Sequence, residues 1–493
     1  MIIYRYIRNL LFISLLVPLC INAQEEPIPL HKTVHKIKKR NKYVAVIPKT
    51  PLGPQLKKTP LERQDKLAPG LLNEVKQVIA PEESDDDDWG EKVENNGPAP
   101  IGITRDFSQM SSGIQDIVQK HNFMWGSHPY SLQGLPIIYT SKSTGFNLGT
   151  RLSFADLKTE DPYTFLFTFQ FQQTDRGAKN HEVSLDIPAF FSRHWRVKLG
   201  YTYPEVIDNN YFGIGNSTTY DKDLVNPGNP NFLSRTYYQY IFTYPRFTFD
   251  IFYKFLREKM SIYAGIGFAR ASIDPYNKDG LSKIFTEKPY GYGGGNTNYV
   301  KVGVKFDSRD YPLNPTKGIV LAGTYTDHAK FIASDFSYKN ADFTYMGFFS
   351  FLKYFVLGHR VMIDQIFGND VPFFALAEFN SYDNYDGLGG QDTLRGAPTF
   401  RLIDNLKFVN QIELRTRFYN GFVFGQHMEL SLVPYWDFGR VWDRHQKFTF
   451  DGFHNTFGNT FKFTWNTTFI ASFTMGFSKE NFSTYLTFGE SFD

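Results

Sequence analysis

Residues 163–171 read Tyr-Thr-Phe-Leu-Phe-Thr-Phe-Gln-Phe, so aromatic side chains alternate with Thr, Leu and Gln. Residues 195–203 (Trp-Arg-Val-Lys-Leu-Gly-Tyr-Thr-Tyr) and 300–307 (Val-Lys-Val-Gly-Val-Lys-Phe-Asp) repeat this period of two. Successive side chains of a β-strand point to opposite faces, so the alternation predicts strands with one apolar and one polar face. A soluble β-sandwich would show the same alternation, so the pattern alone does not choose between the two architectures.

Three features of the sequence favour a transmembrane β-barrel over a sandwich. The apolar faces are strongly aromatic, in a chain with 50 Phe and 30 Tyr, as expected of strands that meet lipid. The strands are about ten residues long, which is enough to cross a bilayer at a tilt. The chain also begins with a predicted export signal, described below. We therefore predict an all-β protein, a transmembrane antiparallel β-barrel in the bacterial outer membrane.

The alternating stretches predict about sixteen strands, an even number as outer-membrane barrels have. The first strand is predicted at 137–156, and two consecutive strands are predicted at 235–245 and 246–256. The barrel is assigned to residues 137–493. Long insertions within it are predicted to be extracellular loops, at 206–234, 273–297 and 369–405.

The N-terminus has the three parts of a secretory signal peptide. Two early arginines supply positive charge, residues 10–21 form a short apolar stretch, and residues 21–23 offer a small-residue cleavage site. The alternative, a retained membrane anchor, needs about eighteen or more apolar residues. We predict that residues 1–23 are removed together with Cys20, the only cysteine, which leaves the mature chain without a thiol.

Residues 24–100 differ in composition from the rest of the chain. They carry a basic stretch, repeated prolines and four consecutive aspartates. Such segments bury little apolar surface, so we predict disorder with weak helical content. Residues 101–136 are predicted to be a short helical or irregular lead-in to the barrel, with Ile114, Ile117 and Val118 on one helical face. Two roles stay open for such helices: packing under the barrel rim or docking a partner.

Three stretches carry more specific patterns. The first is a predicted turn at 307–318, in which prolines cannot donate sheet hydrogen bonds and a glycine permits a tight turn. The second is Gly-Gly-Gln-Asp-Thr-Leu-Arg-Gly at 389–396, inside the third predicted loop, and the third is Tyr-Trp-Asp-Phe-Gly at 435–439. The residues that carry these patterns are Asp307, Arg309, Asp310, Pro315 and Gly318 in the turn, Leu394, Arg395 and Gly396 in the loop, and Asp437 and Gly439 in the last stretch.

These three stretches resemble the BamA/TamA superfamily of outer-membrane insertases and translocators, the bacterial surface-antigen barrels. The turn is similar to that family's turn reading D-x-R-D before a proline and Lys-Gly. The loop is similar to the family's V/I-R-G-Y/F tip, with Ala397 in place of the aromatic residue, and the last stretch is similar to its F-x-D-x-G motif. The resemblance implies that the loop folds back into the lumen, where its arginine contacts the inner wall. Residues 24–100 lack the alternating strands of a POTRA domain, so the chain resembles a member without POTRA domains.

Arg395 needs a partner inside a confined lumen, because a hydrogen-bonded pair of arginine and carboxylate is favourable there and an unpaired charge is costly. Strand alternation places Asp437 and Gly439 on the lumen face, and Glu413 on the lumen face of the strand at 408–418. We expect Arg395 to reach Asp437, with Glu413 as a second acceptor, and so to pin the loop. The expected role is structural, and no catalytic residue is predicted.

Both ends of the predicted barrel carry features of assembly or opening. Gly489 and Phe492 approximate the ending by which family barrels are recognised for assembly, with Asp493 trailing the aromatic residue. Residues 140–155 contain glycines, which weaken strand pairing. In the family, a weak seam between the first and last strands is thought to act as a lateral gate. Alternatively, these glycines mark curvature or tight packing.

Other chemistry is not evident in the sequence. Lysine and arginine are dispersed, which gives no basic patch for nucleic acid. The histidines lack metal-ligand spacing, and the chain has no Gly-x-Ser-x-Gly nucleophile elbow. The four aspartates are interpreted as a solvated segment rather than a Ca²⁺ site. We therefore predict neither an enzyme nor a metal or cofactor site.

The expected function follows the resemblance. The barrel would assist the insertion or translocation of another protein or a lipid, without covalent chemistry. The expected partners are outer-membrane lipid and other outer-membrane or periplasmic proteins. The alternative is a passive channel or a structural surface protein, and a channel would show steady, large conductance. A third class, an outer-membrane enzyme, would need a Ser/His or Asp/His set at the rim, which we do not find in the sequence.

Overall fold

The computed structural model describes residues 120–488, apart from the stretches 126–127, 142–143, 159–162, 277–280, 312–313, 353, 380–386, 424–425 and 466–468. The predicted signal peptide, the charged segment 24–100, and the chain-end residues Gly489 and Phe492 lie outside the described residues. None of the described helices is long and apolar enough to cross a membrane.

Strands make up most of the described chain. They are β1 (Lys120–Trp125), β2 (His128–Ser141), β3 (Gly145–Asp156), β4 (Phe165–Thr174), β5 (Lys179–Ile187), β6 (Trp195–Asn210), β7 (Gln239–Thr243), β8 (Arg246–Phe255), β9 (Met260–Pro275), β10 (Gly295–Asn296), β11 (Tyr299–Asp307), β12 (Gly318–His328), β13 (Ser337–Phe351), β14 (Phe355–Asp370), β15 (Leu406–Val423), β16 (Gln426–Trp442), β17 (His454–Trp465), β18 (Phe469–Phe477) and β19 (Phe482–Phe488). Two short helices, α1 (Lys283–Glu287) and α2 (Phe373–Ala377), lie in loops, as do 3-10 turns at Lys222–Val225 and Lys330–Ile332. The all-β prediction is confirmed.

The nineteen segments correspond to sixteen barrel strands. Each pairs antiparallel with its neighbour in the chain, as in an up-and-down barrel. Strands β7 and β8 are two halves of one strand, because β6 pairs with β8 through residues 195–202 and with β7 through residues 205–210. Segment β10 is a two-residue pairing with β9, and β1 forms a hairpin with β2. Leaving out β1 and β10 and counting β7 with β8 gives sixteen.

The predicted number of strands was right, but two boundary errors cancel within it. The stretch 137–156, predicted as one strand, contains the end of β2 and the whole of β3, whose first residue, Gly145, has a φ of +84°. The stretches 235–245 and 246–256, predicted as two strands, belong to the single interrupted strand β7–β8. Tyr244 and Pro245 lie between its halves, and proline cannot donate a hydrogen bond to the sheet.

The lead-in prediction for 101–136 is wrong over residues 120–136, where the described residues lie in β1 and the start of β2. The prolines at 129 and 136 argued against a strand in the sequence, because proline is rare inside sheets. Alternation is nevertheless present in β2: Ser131 and Ile137 are buried, whereas Leu132 and Ile138 are exposed. The β1–β2 hairpin therefore begins the sheet earlier than the sequence indicated.

The two faces of the wall follow the predicted alternation. In β4, Phe167, Phe169 and Phe171 are exposed on the outer face, whereas Thr168 and Gln170 are buried on the inner face. Lipid surrounds a membrane barrel, so a barrel of this kind is expected to carry its aromatic residues on the outer face. The inner face carries buried charged and polar side chains, which must find their partners within the lumen.

The strand connections differ at the two ends of the barrel. Long loops at 211–238, 276–298 and 371–405 occupy one end, which is the extracellular end of outer-membrane barrels, and short turns occupy the periplasmic end. Helix α2 packs into an aromatic cluster at the extracellular end. The cluster includes Tyr211, Tyr240, Phe242, Phe336, Tyr338, Phe373 and Phe374.

Candidate functional site

The loop at 371–405 connects β14 to β15 and folds into the lumen. We call it the return loop. Leu388, Leu394 and Leu402 are fully buried in one apolar cluster with residues of the barrel wall. Gly389 has a φ of +114°, and a Cβ there would lie 2.0 Å from the Pro398 carbonyl oxygen. Only glycine tolerates that conformation at that spacing, so the glycine-rich sequence shapes the fold of the loop tip.

Arg395 at the tip of the return loop forms a forked ion pair with Asp437 of β16. Its Nε donates to Asp437 Oδ2 at 2.9 Å, and Nη2 donates to Oδ1 at 2.7 Å. The backbone N–H of Arg395 donates to Oδ2 at 3.1 Å. Both side chains are buried, and a two-point arginine–carboxylate pair fixes orientation as well as distance. The structure thus places together the two residues that the sequence suggested as partners.

Glu413 of β15 lies between two arginines. Its Oε2 accepts from Arg395 Nη1 at 3.2 Å, and its Oε1 accepts from Arg415 Nε at 2.7 Å. All three side chains are buried. A carboxylate between two guanidinium groups balances part of their charge, which reduces the cost of burying three ions in the lumen.

The stretch 435–439 shapes the seat for the loop tip. The guanidinium of Arg395 lies 3.7 Å from the centroid of the Tyr435 ring, a cation–π contact. The Tyr435 hydroxyl donates to the Arg395 carbonyl oxygen at 3.0 Å. A Cβ on Gly439 would lie 2.9 Å from Leu388 Cδ2, so glycine leaves room for the loop. The aromatic, acidic and small residues of this motif therefore all face the return loop.

The turn motif at 307–318 is held by its own side chains. Arg309 Nη2 donates to Asp307 Oδ2 at 2.8 Å. Asp310 Oδ1 accepts from the backbone N–H of Thr316 at 2.9 Å. Gly318 has a φ of +103°, and a Cβ there would lie 2.3 Å from the Ser308 carbonyl oxygen. Pro315 is buried, which indicates that the turn packs against the protein rather than extending into water.

Two further arginines hold the return loop and were missed in the sequence. Arg360 of β14 is fully buried and donates to Gln411 Oε1 at 2.7 Å and to the Asp392 carbonyl oxygen. Arg401 donates through Nε to Glu480 Oε2 at 2.5 Å, in the turn between β18 and β19. Neither arginine belongs to a motif. The only indication in the sequence that Arg360 holds the loop was its inward position on a strand. The sequence around Arg401 carried no such indication.

Asp404 lies at the end of the return loop, beside the extracellular end of the barrel. Burial raises the pKa of its carboxyl to about 6. The backbone N–H of Asn405 donates to Asp404 Oδ1 at 2.8 Å, and this hydrogen bond lowers the pKa of Asp404. The positive charge of Lys407 also lowers the pKa, whereas the negative charge of Asp443 raises it. The residue is therefore poised to change charge near neutral pH.

A family model described as the Omp85 superfamily domain matches residues 138–477. The chain belongs to the Omp85 superfamily. Solved structures that match this chain include BamA from Haemophilus ducreyi lacking POTRA domains 1–3, at 13% identity and a TM-score of 0.48, over 73% of this chain and 70% of that one. They also include CdiB from Acinetobacter baumannii (12%, 0.43, over 73% and 59%) and CdiB from Escherichia coli (12%, 0.45, over 73% and 62%). A comparison with curated proteins gave no match.

Membership in the Omp85 superfamily confirms the predicted resemblance to BamA/TamA-type proteins and the outer-membrane location. It places the chain in a family of outer-membrane insertases and translocators rather than a family of enzymes. Among the described residues, no three His, Cys, Asp or Glu side chains converge as a metal site would require. In this Omp85 barrel the candidate site is therefore the arginine-held return loop and the inner wall that receives it.

Proposed function

We propose that this protein assists the insertion or translocation of another outer-membrane protein, or of a lipid, and works with partners. Family membership supports the class of activity, and the chemistry needed is noncovalent. The partners we propose are outer-membrane lipid and other outer-membrane or periplasmic proteins. Residues 24–100, with their basic stretch, prolines and aspartates, are the segment of the chain whose composition best suits docking to such proteins.

The observation that carries this proposal is the return loop in the lumen. Three buried arginines hold it: Arg395 through Asp437 and Glu413, Arg360 through the Asp392 carbonyl oxygen, and Arg401 through Glu480. A passive channel needs an open, water-filled path, whereas this lumen contains a packed apolar cluster around the loop tip. The contacts therefore favour a function at the wall of the barrel over free diffusion through it.

The proposal is tested by purifying the tagged full-length protein from its native outer membrane. A matched variant replaces residues 24–100 with a Gly/Ser linker of equal length, which keeps the spacing but removes the charge pattern. We expect defined outer-membrane or periplasmic proteins to copurify with the natural chain and to be lost from the linker variant. If the barrel purifies alone in both cases, the proposed complex is excluded.

Conductance in planar bilayers separates this proposal from the channel alternative. We expect small, irregular currents from the natural chain, because the return loop obstructs the lumen. Steady, large current steps from the purified barrel would overturn the proposal in favour of a passive channel.

A further inference from the structure

The periplasmic turn between β11 and β12 reaches a distant part of the barrel wall. We call its described residues, 308–311 and 314–317, the inner turn. Asn314 Nδ2 donates to Glu429 Oε1 of β16 at 3.4 Å, and Lys462 Nζ of β17 donates to Asn314 Oδ1 at 3.3 Å. Strands β13, β14 and β15 lie between β12 and β16 in the sheet, so these contacts extend across the lumen and not along the wall.

The inner turn is also held by Arg415 of β15. Arg415 Nη1 donates to the Pro315 carbonyl oxygen at 3.2 Å, and this hydrogen bond is buried. The wall beneath the turn is polar and buried: Ser431 and Glu429 are covered, and Arg417 Nη1 lies 3.7 Å from Glu429 Oε2. An ordinary strand connection has no need of a seat of charged partners on strands that lie three to five positions away in the sheet. The seat therefore indicates that the turn is a packed element of the lumen.

The same arginine connects the inner turn to the return loop. From the loop tip, the contacts run from Asp437 to Arg395, from Arg395 to Glu413, from Glu413 to Arg415, and from Arg415 to the Pro315 carbonyl oxygen. Negative and positive groups alternate along this path, and each ionic side chain is buried. One polar network thus joins an extracellular loop to a periplasmic turn.

The position of Glu413 between two arginines couples release of the return loop to a change at the inner turn. Its Oε2 is occupied by Arg395, and its Oε1 by Arg415. If Arg395 leaves, Oε2 becomes available and the Arg415 guanidinium can pair with both oxygens, which is the stronger arrangement. That rotation draws Arg415 Nη1 away from the Pro315 carbonyl oxygen. Release of the return loop should therefore loosen the inner turn.

We propose that the inner turn is a second plug, which closes the lumen from the periplasmic side and is coupled to the return loop through Glu413 and Arg415. The two plugs are released together, so opening the lumen at one end weakens closure at the other. This inference concerns the barrel alone and does not rest on the proposed function.

Accessibility of the wall beneath the inner turn tests the proposal. In a Cys20→Ser background of the full chain, Ser431→Cys places a thiol on the covered wall with little change in size. Ser192→Cys, in an exposed periplasmic turn, gives the rate for a free site. With a water-soluble maleimide on the folded, detergent-purified protein, we expect Ser431→Cys to react at least about tenfold more slowly than Ser192→Cys. Equal rates would overturn the proposal, because the seat would then be open.

The coupling is tested by adding second substitutions to Ser431→Cys. Asn314→Ala should raise the labelling rate about tenfold, because it removes the hydrogen bonds that Asn314 makes with Glu429 of β16 and Lys462 of β17. Arg395→Ala should raise it by a similar factor through the Glu413 path. Arg440→Ala, which removes an ion pair with Asp451 outside the network, should leave it unchanged.

A thiol elsewhere in the lumen separates local release from general unfolding. Ser184 of β5 is buried on the inner wall, where its hydroxyl donates to Glu182 Oε1 of the same strand. In the Arg395→Ala protein, Ser184→Cys should stay slow while Ser431→Cys becomes fast. If Asn314→Ala leaves the Ser431→Cys rate unchanged, the turn is not a plug. If Asn314→Ala raises it and Arg395→Ala does not, or if both reporters become fast together, the proposed coupling is refuted.

Discussion

Replacing Arg395 with alanine removes the central ion of the lumen. The substitution deletes the side-chain hydrogen bonds to Asp437 and to Glu413, and the cation–π contact with Tyr435. Asp437 is then left fully buried, with the backbone N–H of residue 395 and the Thr456 hydroxyl, 3.4 Å away, as its donors. Glu413 keeps Arg415 as a partner. The energetic cost therefore falls mainly on Asp437.

The expected loss of stability follows from this arrangement. Breaking a buried ion pair by removing one partner costs about 3–5 kcal/mol, chiefly because a charge stays buried without its counterion. Because Glu413 remains paired and Asp437 retains two donors, we expect a loss near 3 kcal/mol, the lower end of that range. Arg395→Lys keeps the charge but not the two-point fork, so its loss should be intermediate.

Heat-modifiable migration on cold gels measures this effect, since the folded barrel runs differently from the heated chain. The temperature at which half of the folded band is lost should fall for Arg395→Ala, and fall less for Arg395→Lys. Adding Asp437→Asn to Arg395→Ala removes the orphaned charge, so the double variant should lose less than the sum of the single losses, by about 1 kcal/mol or more. Unchanged melting of Arg395→Ala, or strictly additive losses, would refute the ion-pair argument.

Three further predictions concern the residues around the loop. The pKa of Asp404 is raised to about 6 from its ordinary 3.8, so the folded barrel binds this proton more tightly than the unfolded chain does. The free energy of unfolding should therefore fall by up to about 3 kcal/mol as pH rises from about 4 to 6. Denaturant titrations should show this fall for the natural chain and not for Asp404→Asn. Arg401→Ala and Glu480→Gln should each speed proteolysis within the return loop, and the double variant should be little faster than either. Gly476→Ala would place a Cβ 2.2 Å from the Arg395 carbonyl oxygen and should cost about 1–3 kcal/mol in gel melting, whereas Gly228→Ala, in an open loop, should be neutral.

The wall of the barrel could be predicted because its determinants are local. Each strand carries its own alternation, and the outer aromatic residues of β4 are exposed as the period of two requires. The errors occurred where the local pattern is interrupted, at the proline-containing β2 and at the Tyr244–Pro245 break between β7 and β8. Strand pairing overrides these interruptions, because neighbouring strands supply the register that the sequence of one strand lacks.

The contents of the lumen were predictable only where a motif resembled known barrels. The contact between Arg395 and Asp437 was expected from that resemblance and from the inward position of Asp437. The pairing of Arg401 with Glu480 spans 79 residues and joins two loops, whose side chains follow no period. The seat of the inner turn was missed for the same reason: Asn314 and Glu429 are 115 residues apart, and their contact depends on the diameter of the closed barrel.

The wall of the barrel and the contents of its lumen are held by different kinds of interaction. The wall is held by backbone hydrogen bonds between neighbouring strands. The return loop is held by side-chain ion pairs together with an apolar cluster, and the inner turn is held by side-chain hydrogen bonds. Burying ions costs solvation free energy that their pairing only partly offsets, so such networks fix an arrangement more effectively than they stabilise a fold. Because strand pairing rests on the backbone, we expect it to persist when the plugs are released. An Omp85 barrel built in this way can release both plugs and retain its wall, which a lumen filled only by apolar packing continuous with the wall would not permit.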